Sequence, residues 1–463
     1  MTVSTDLAAW AVETYGAVLP QPVVDQAVVH VKDTVGVALA GAVEPSVRAM
    51  ASATADLRHS VLGQALVLGT ACHALDYDNA QAPSLVHPSC VVVPVALLAA
   101  RGSGRESESI VRAIAVGEEV SLWLGESAVK DGNSEIFERG LHPTGVCTPI
   151  AAAVTAGLLM GLSVEQLGHA VGAAASLSGG ILEGNRTGGQ VKPMHAGFAA
   201  HAGLFAARLA HAGMTAPPTA VEGRFGFVHA LLGPDLIADV ATLPSVQSPA
   251  WRMTRVITKP YPVNGFAHAS IDAALQLREA GFRLEAGARV EIGVPEPTLR
   301  TIAEPREAKL RPPSGYAARF SGPVVAAIAL RGGGGLGVGL SDFADGVVID
   351  ETLLADAARV EFFADDTMTE HFPDAIGATA RGYAADGAVT EATVPHATGS
   401  PHRPLSPALL RRKFDDCVET GVHEDAEEIW SALDRICIGD SAADHLLDGL
   451  VARILDTVER AVA

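Results

Sequence analysis

Apolar residues recur at three- and four-residue intervals along about the first 265 positions, which is the spacing of helices with a buried face. Several boundaries also carry helix signals. Ser163 stands three residues before Gln166, the spacing of a capping box, and one run begins with Pro22 and ends with Gly41. We predict helices at residues 22–41, 62–79, 91–101, 105–128, 148–161, 163–182 and 197–213.

The pattern changes after about residue 281, where apolar and polar side chains begin to alternate as they do in strands. Asp386 and Gly387 provide a hairpin turn within one of these alternating runs. We predict strands at residues 288–295 and 358–366, a hairpin at 378–395 and one helix at 320–330.

Helical patterns return after a linker rich in Pro, Gly and Ser at residues 395–404. The last helices are predicted at residues 407–420, 425–437 and 442–462. The expected fold is mainly α with an α+β second domain. Residues 1–266 and 400–463 would form a large all-helical domain built from both chain ends, and residues 267–399 a smaller α+β lid domain.

Composition supports a helical, tightly packed protein. The chain is 48% hydrophobic but only 5% aromatic, so Ala, Val, Leu and Ile must build the core. Alanine has the highest helix propensity, and its small side chain allows helices to approach closely.

Charge and hydropathy exclude several classes of partner. The net charge of −20 argues against nucleic acid and anionic membrane surfaces. The longest apolar run, residues 149–162, is shorter than the about 20 residues that span a bilayer, so we predict a buried helix. The first residues carry acids rather than a basic region, which is not typical of a secretory signal. We therefore expect a cytoplasmic protein.

Cysteine spacing and the glycine-rich segment argue against a metal cluster or a nucleotide cofactor. The five cysteines are scattered and contain no C-x-x-C pair, which disfavours a disulfide framework, a zinc ribbon or an iron–sulfur cluster. Gly332, Gly334 and Gly337 match G-x-G-x-x-G, but a helical pattern precedes them where a dinucleotide site needs a strand. We interpret this segment as a flexible connector.

The stretch Leu-Asp-Tyr-Asp-Asn-Ala-Gln-Ala-Pro-Ser-Leu-Val-His-Pro-Ser-Cys, residues 75–90, combines two carboxylates with a histidine. It does not fit a calcium loop, since Gln81 and His87 stand where Gly and Glu are needed. A transition-metal site, a helix cap formed by Asp76 or Asp78, and half of an acid/base site remain as alternatives.

Four basic or titratable side chains stand directly before proline: His87, His142, Lys192 and Lys259. Lysine is scarce in this sequence, which contains six lysines including these two. A residue before proline is driven towards an extended conformation, so we expect these side chains at helix boundaries, where they can converge on a pocket. The simpler alternatives are hydrogen-bonded structural histidines and solvated lysines.

Taken with Asp76, these residues supply two cations, two imidazoles and a carboxylate. Lysines hold carboxylates as point charges, histidines exchange protons near neutral pH, and a carboxylate beside a histidine orients it. This set suits proton removal or delivery at a carbon next to a carboxylate. Dehydration, decarboxylation and epimerisation of a small polycarboxylate all need such a step.

The sequence resembles the MmgE/PrpD family of polycarboxylate dehydratases, decarboxylases and epimerases. The resemblance rests on six blocks in the same order along nearly the whole chain, at residues 32–41, 73–100, 141–174, 188–227, 258–275 and 404–414. It implies the two-domain architecture given above, a homodimer and no cofactor or metal.

The resemblance also implies a set of site residues. It assigns catalytic roles to Asp76, His87, His142, Lys192 and Lys259. We expect Asn79, His195 and Arg186 to contact the substrate. The chain departs from the family at Asp-Tyr-Asp-Asn-Ala, residues 76–80, where relatives commonly have Asp-Phe-Asp-Asp-Thr.

The expected function is that of a cofactor-independent lyase, a dehydratase or decarboxylase, acting on a small di- or tricarboxylate of the 2-methylcitrate or cis-aconitate type. Lys192 and Lys259 would hold carboxylates, His87 and His142 would exchange protons, and Asp76 would tune a histidine. One alternative is an epimerase or isomerase of an iminodisuccinate-like dicarboxylate. Another is a non-catalytic relative that binds a carboxylate, which the altered residues 76–80 make worth testing.

Overall fold

A computed structural model describes residues 2–102, 106–184, 189–240, 242–244, 250–421, 425–438 and 443–462. The chain divides into two compact units. The first comprises Met1–Ala74, Asp78–Val256 and Gly421–Ala463, and the second comprises Leu75–Tyr77 and Ile257–Thr420. The boundaries therefore differ from the predicted ones, because residues 257–266 and 400–420 and the short segment Leu75–Tyr77 all belong to the second unit.

The first unit is helical, as predicted. Its capping box forms: Ser163 Oγ accepts from the Gln166 N–H, and the Gln166 side chain accepts from the Ser163 N–H. The main helices are Val3–Gly16, Gln21–Gly41, Pro45–Ala53, Val61–His73, Ser89–Ala100, Ser107–Glu126, Pro143–Met160, Val164–Ala175, Val191–His211, Ala426–Ile438 and Ala443–Val462, and Pro407–Gly421 joins the two units along the chain.

Small residues bring the helices of this unit together. The Val61–His73 and Val191–His211 helices meet at Gly69 and Gly197. A Cβ atom at Gly197 would lie 2.3 Å from the Leu66 carbonyl oxygen, so only glycine permits this approach. The contact fixes the end of the first helix, where His73 lies, relative to the start of the second.

Two predicted helix boundaries near the histidines were wrong. The helix predicted at residues 62–79 ends at His73, and Asp76 adopts a φ of 51°, a left-handed conformation that interrupts a helix. The helix predicted from residue 148 begins at Pro143, because proline is favoured at the first helical position, where its missing N–H costs no hydrogen bond.

The second unit contains the α+β structure, which confirms the expected fold class. Strands β1 Val129–Lys130 and β2 Asn133–Ser134 form a separate hairpin in the first unit, and the strands of the second unit are β3 Arg289–Val294, β4 Val360–Ala364, β5 Ala378–Tyr383 and β6 Val389–Val394. The sheet of the second unit has the order β4–β3–β5–β6. Strand β3 is parallel to β4 and antiparallel to β5, and β5 and β6 form the predicted hairpin.

Helices cover the sheet of the second unit. Val290, Ile292 and Val294 of β3 are fully buried and share a hydrophobic core with residues of six of these helices. The helices of this unit are His268–Glu279, Glu296–Ile302, Arg306–Leu310, Gly315–Ala318, Gly322–Arg331, Asp345–Val348, Glu351–Ala357 and Asp366–Glu370.

One helix in the described part of the chain, Pro143–Met160, is long and apolar enough to cross a membrane by length and composition alone. Because 94% of it is buried inside the protein, it has the character of a central core helix. It carries His142 at its N-terminal end.

Candidate active site

A buried carboxylate, Asp78, organises the histidines of the first unit. Its Oδ2 accepts hydrogen bonds from His73 Nδ1 at 2.8 Å and from His87 Nδ1 at 3.0 Å. Asp78 and His73 are no more than 1% exposed, and His87 is 8% exposed. We predicted Asp76 as the carboxylate that tunes a histidine, whereas these hydrogen bonds come from Asp78.

Sequence reasoning missed both His73 and Asp78. His73 ends its helix and Asp78 follows five residues later, so the chain must leave the helix before the two can meet. The prediction of a helix through residue 79 concealed this turn. The available signal was the presence of both residues in the second block of the resemblance, at residues 73–100.

A second pair of histidines lies beside the first. His142 Nδ1 and His195 Nδ1 are 3.1 Å apart, and the His142 ring stacks on the His73 ring with centroids 5.4 Å apart. His142 precedes Pro143 with an extended backbone (φ −83°, ψ 110°), as we predicted for a pre-proline residue. The His87 N–H donates to Thr144 Oγ1, which ties His87 to the same helix start.

A glycine loop supports the His142–His195 pair. The His142 N–H donates to the Gly180 carbonyl, and a Cβ atom at Gly180, whose φ is 126°, would lie 3.0 Å from the His195 ring. At Gly145 a Cβ atom would lie 2.3 Å from the Gly179 carbonyl oxygen. The loop therefore lies directly against His195 and the start of the Pro143–Met160 helix.

Lys192 lies on the same helix as His195, three positions earlier, and is 9% exposed. We predicted an extended residue before Pro193, but Lys192 is helical. The first turn of a helix tolerates proline because its N–H groups have no partner within the helix. Residues three apart lie on one face, so the ammonium and the imidazole project to the same side.

Burial and positive charge keep the second pair of histidines neutral. Burial, followed by His73 and Lys192, lowers the pKa of His142 well below its ordinary value. The same causes lower the pKa of His195 to about 4. For Asp78, burial opposes ionisation, but the His73 and His87 N–H groups outweigh it and hold the carboxyl pKa well below its usual range. The site thus combines one carboxylate-bound pair of imidazoles with one neutral pair.

Asp76 and Lys259 lie in the second unit, where they contact each other. Lys259 Nζ donates to the Asp76 carbonyl at 2.8 Å and lies 3.4 Å from Asp76 Oδ2. Two other buried cations, which sequence reasoning missed, bind the backbone of the Leu75–Tyr77 segment. Arg319 donates to the Leu75 carbonyl, and Lys413 Nζ donates to the Tyr77 carbonyl at 2.9 Å. Their signal was weak, because neither stands before proline.

The predicted substrate contacts have different outcomes. His195 lies in the cluster. The Asn79 amide is fully buried and donates to Ser89 Oγ at 2.6 Å, and Ser89 Oγ in turn donates to Glu118. These hydrogen bonds favour a structural role for Asn79 over contact with substrate. Arg186 lies outside the described residues.

His73, Asp78 and Cys90 place donor atoms within 4.8 Å of one another, a spacing that a metal ion could use. Their chemistry does not favour such a site. Burial and the Asp78 charge raise the pKa of the Cys90 thiol well above its ordinary value, and a thiol must ionise to bind a metal. One Asp78 oxygen is already shared by two imidazoles. The un-ionised thiol and the shared carboxylate oxygen therefore argue against a metal ion at these three residues.

Two buried imidazole nitrogens of the first unit lack a hydrogen-bond partner among the described residues: His73 Nε2 and His142 Nε2. A buried polar atom without a partner costs about 1–3 kcal/mol, so such atoms call for an occupant. A small polar ligand would satisfy both. The arrangement can therefore hold an anion at Lys192 and move protons at the imidazoles.

Comparison with known families agrees with the sequence resemblance. The model of the MmgE/PrpD N-terminal domain matches residues 5–238, and that of the MmgE/PrpD C-terminal domain matches residues 261–436. The first match lies in the first unit except at Leu75–Tyr77, and the second covers most of the second unit and extends into the first as far as residue 436.

Curated relatives include cis-aconitate decarboxylases. That of Homo sapiens is 31% identical over 232 residues, covering 48% of this chain and 46% of the relative. That of Aspergillus terreus is 25% identical over 242 residues, covering 48% and 49%. The cis-aconitate decarboxylase-like protein oryM of Aspergillus oryzae is 25% identical over 302 residues, covering 60% and 61%. The match to the human and Aspergillus terreus enzymes thus spans about half of their length.

Proposed function

Because this chain belongs to the MmgE/PrpD family, we propose that it is a lyase that removes water or CO₂ from a small di- or tricarboxylate using its own side chains. The observation that carries the proposal is the buried cluster in which His87 and His73 share Asp78 beside the neutral pair His142 and His195. Lys192, on the same helix as His195, supplies the positive charge that an anionic substrate needs.

The two kinds of histidine suggest separate roles. The Asp78 carboxylate offsets the charge of a protonated His87, which suits the acid. His142 is neutral because burial and Lys192 lower its pKa, which suits a proton acceptor. Lysine at position 192 would orient a substrate carboxylate between them. We leave Lys259 out of this assignment because it is bound to Asp76.

In a dehydration, His142 accepts a proton from the carbon next to a carboxylate. The electron pair of that C–H bond forms the C=C bond, the C–O bond breaks, and the leaving hydroxide takes a proton from His87 and departs as water. In a decarboxylation the C–C bond breaks, CO₂ leaves, and the released electron pair takes up a proton from His87 at carbon. The dehydration uses both a general base and a general acid, whereas the decarboxylation uses the acid alone.

The test is turnover of citrate, 2-methylcitrate, cis-aconitate and iminodisuccinate in D₂O, followed by proton NMR and mass spectrometry. We expect loss of water or CO₂ from one of these acids. Deuterium incorporation at a stereocentre without either loss would instead identify an epimerase of an iminodisuccinate-like acid. A protein that binds an acid but leaves all four unchanged would be a non-catalytic relative, and the lyase proposal would be wrong.

We also propose a cytoplasmic location, with a small anionic acid as the ligand and without nucleic acid or membrane partners. The net charge of −20 would repel polyanions and anionic lipids. All five cysteines are buried free thiols, which suits a reducing compartment.

We further propose a homodimer that forms through the outer face of the Val191–His211 helix. Val191, Phe198 and Phe205 recur every seven residues on this face and are 44%, 51% and 37% exposed. A seven-residue apolar repeat on an exposed helix face suits a second helix. Charge supports a second copy as the partner, because no Asp or Glu occurs between Glu183 and Glu222 in a chain that carries 53 acids.

Replacing Phe198 with Glu should convert the dimer to a monomer, because two copies would then bring like charges together at the symmetry axis. Light scattering coupled to size-exclusion chromatography measures the mass directly. Phe225→Glu is the matched control, since Phe225 is 91% exposed but lies outside this helix. A monomeric wild-type protein, or a Phe198→Glu variant that stays dimeric, would contradict the proposed interface.

A further inference from the structure

We propose that His73 is a further substrate-facing residue of this site, which forms a hydrogen bond through Nε2 with a polar group of the bound acid. The inference rests on the proposed function and extends it to a residue that the six-block resemblance did not assign. Its basis is the position and the unmet hydrogen-bonding capacity of one ring nitrogen.

The contact with Asp78 fixes the tautomer of His73. An ionised carboxylate only accepts hydrogen bonds, so the 2.8 Å contact with Asp78 Oδ2 requires a hydrogen on His73 Nδ1. Nε2 is then the ring nitrogen left for a ligand, to which it offers a lone pair in the neutral ring and an N–H in the protonated ring. Asp78 thus fixes both the orientation of the ring and the atom available to a ligand.

His73 Nε2 is a buried nitrogen whose hydrogen-bonding capacity the described residues leave unused. His73 is 1% exposed, and no described residue gives its Nε2 a hydrogen-bond partner. The His142 ring, which also has an unpartnered Nε2, stacks on it with an interplanar angle of 19°. Two stacked imidazoles with unmet nitrogens point to one polar occupant shared by the pair.

His30 of the same unit provides a comparison for His73. His30 is also fully buried and also contacts a carboxylate, with 2.6 Å between its Nδ1 and Glu118 Oε2. Its Nε2, however, is 2.8 Å from Gln26 Nε2 and is therefore satisfied by the protein. His30, a structural histidine of the first unit, thus has both nitrogens paired, whereas His73 has one without a partner among the described residues.

The test compares His73→Asn and His73→Gln with wild type, using whichever of the four acids the wild type converts. The Asn amide nitrogen lies near the position of Nδ1 and can still donate to Asp78, but nothing replaces Nε2. The Gln amide oxygen reaches the Nε2 position, but the donor to Asp78 is lost. We expect kcat/KM to fall about tenfold or more in the Asn variant, the size of one hydrogen bond to substrate, and to recover partly in the Gln variant.

His30→Asn is the matched control and should lower stability while leaving kcat within about twofold of wild type. Wild-type activity in His73→Asn would overturn the proposal. A Gln variant less active than the Asn variant would also overturn it, since His73 would then act only by holding Asp78.

A second measurement separates this inference from the proposed function. If the wild type converts none of the acids, the lyase proposal fails, and ¹⁵N spectra of histidine-labelled full-length protein still test His73. The Nε2 signal that disappears in His73→Asn should shift on addition of cis-aconitate. No shift of this signal with an acid that binds would contradict the assignment.

Discussion

Replacing His142 with Asn should lower kcat for dehydration by about 10²–10⁴-fold, the usual contribution of a positioned proton-transfer group, with a much smaller change in KM. His142 is 2% exposed, and its Nε2 is a nitrogen that the described protein leaves without a partner. Asn retains a polar group near His195 but removes that nitrogen. Because Lys192 remains, binding of the carboxylate should persist.

The pH dependence follows from the lowered pKa values of His142 and His195. Burial and Lys192 disfavour the protonated rings, so both should remain neutral in ¹⁵N spectra from pH 8 down to pH 5. An acidic limb of the rate profile in this range would then belong to other groups of the site.

His169→Asn is a suitable control for this variant. His169 Nδ1 accepts a hydrogen bond from the Ala216 N–H in a part of the helical unit away from Lys192 and Asp78. Its replacement should leave kcat within about twofold of wild type. Wild-type turnover in His142→Asn would contradict the assigned role, as would protonation of the His142 ring near pH 6.5.

Much of the fold could be predicted from the sequence because periodicity reports directly on burial. The capping box at Ser163 and the hairpin at Asp386 form where their local signals stand. The end of the helix at His73 could not be predicted in this way. Apolar spacing continues past His73, and the turn depends on long-range hydrogen bonds such as that from Arg319 to the Leu75 carbonyl.

The site was partly predictable for a similar reason. Proline fixes the backbone of the preceding residue, so the extended conformation of His142 follows from its neighbour alone. Which carboxylate would meet which histidine does not follow from spacing. Asp76 and Asp78 are two residues apart, and only the left-handed turn at Asp76 separates them, so that Asp78 binds His73 and His87 while Asp76 contacts Lys259.

Asp78 should also couple the stability of the protein to pH. Burial alone would raise its carboxyl pKa, but the His73 and His87 N–H groups lower it well below the ordinary value of 3.8. A carboxyl group whose pKa is lower in the folded state than in the unfolded state stabilises the fold at every pH above the unfolded-state value. That stabilisation is lost as the pH falls through the folded-state pKa.

Replacing Asp78 with Asn should therefore reduce both stability and turnover. Breaking a buried charged pair costs about 3–5 kcal/mol, and removing a group that orients a functional histidine costs about 10–100-fold in activity. Urea denaturation should show the full loss of unfolding free energy at every pH between 5 and 8. The gap to wild type should narrow below about pH 4, where Asp78 begins to protonate in the unfolded chain while it stays ionised in the folded protein.

Glu119→Gln separates these effects from the loss of any buried acid. Glu119 is 3% exposed and binds Arg252 and the Met253 N–H, so its replacement should cost stability but leave kcat within about twofold of wild type. If Asp78→Asn retained wild-type kcat, the carboxylate would not orient the imidazoles. A stability gap that widened with falling pH would mean that the pKa of Asp78 is raised in the folded protein, because a carboxyl group of that kind stabilises the fold only when protonated.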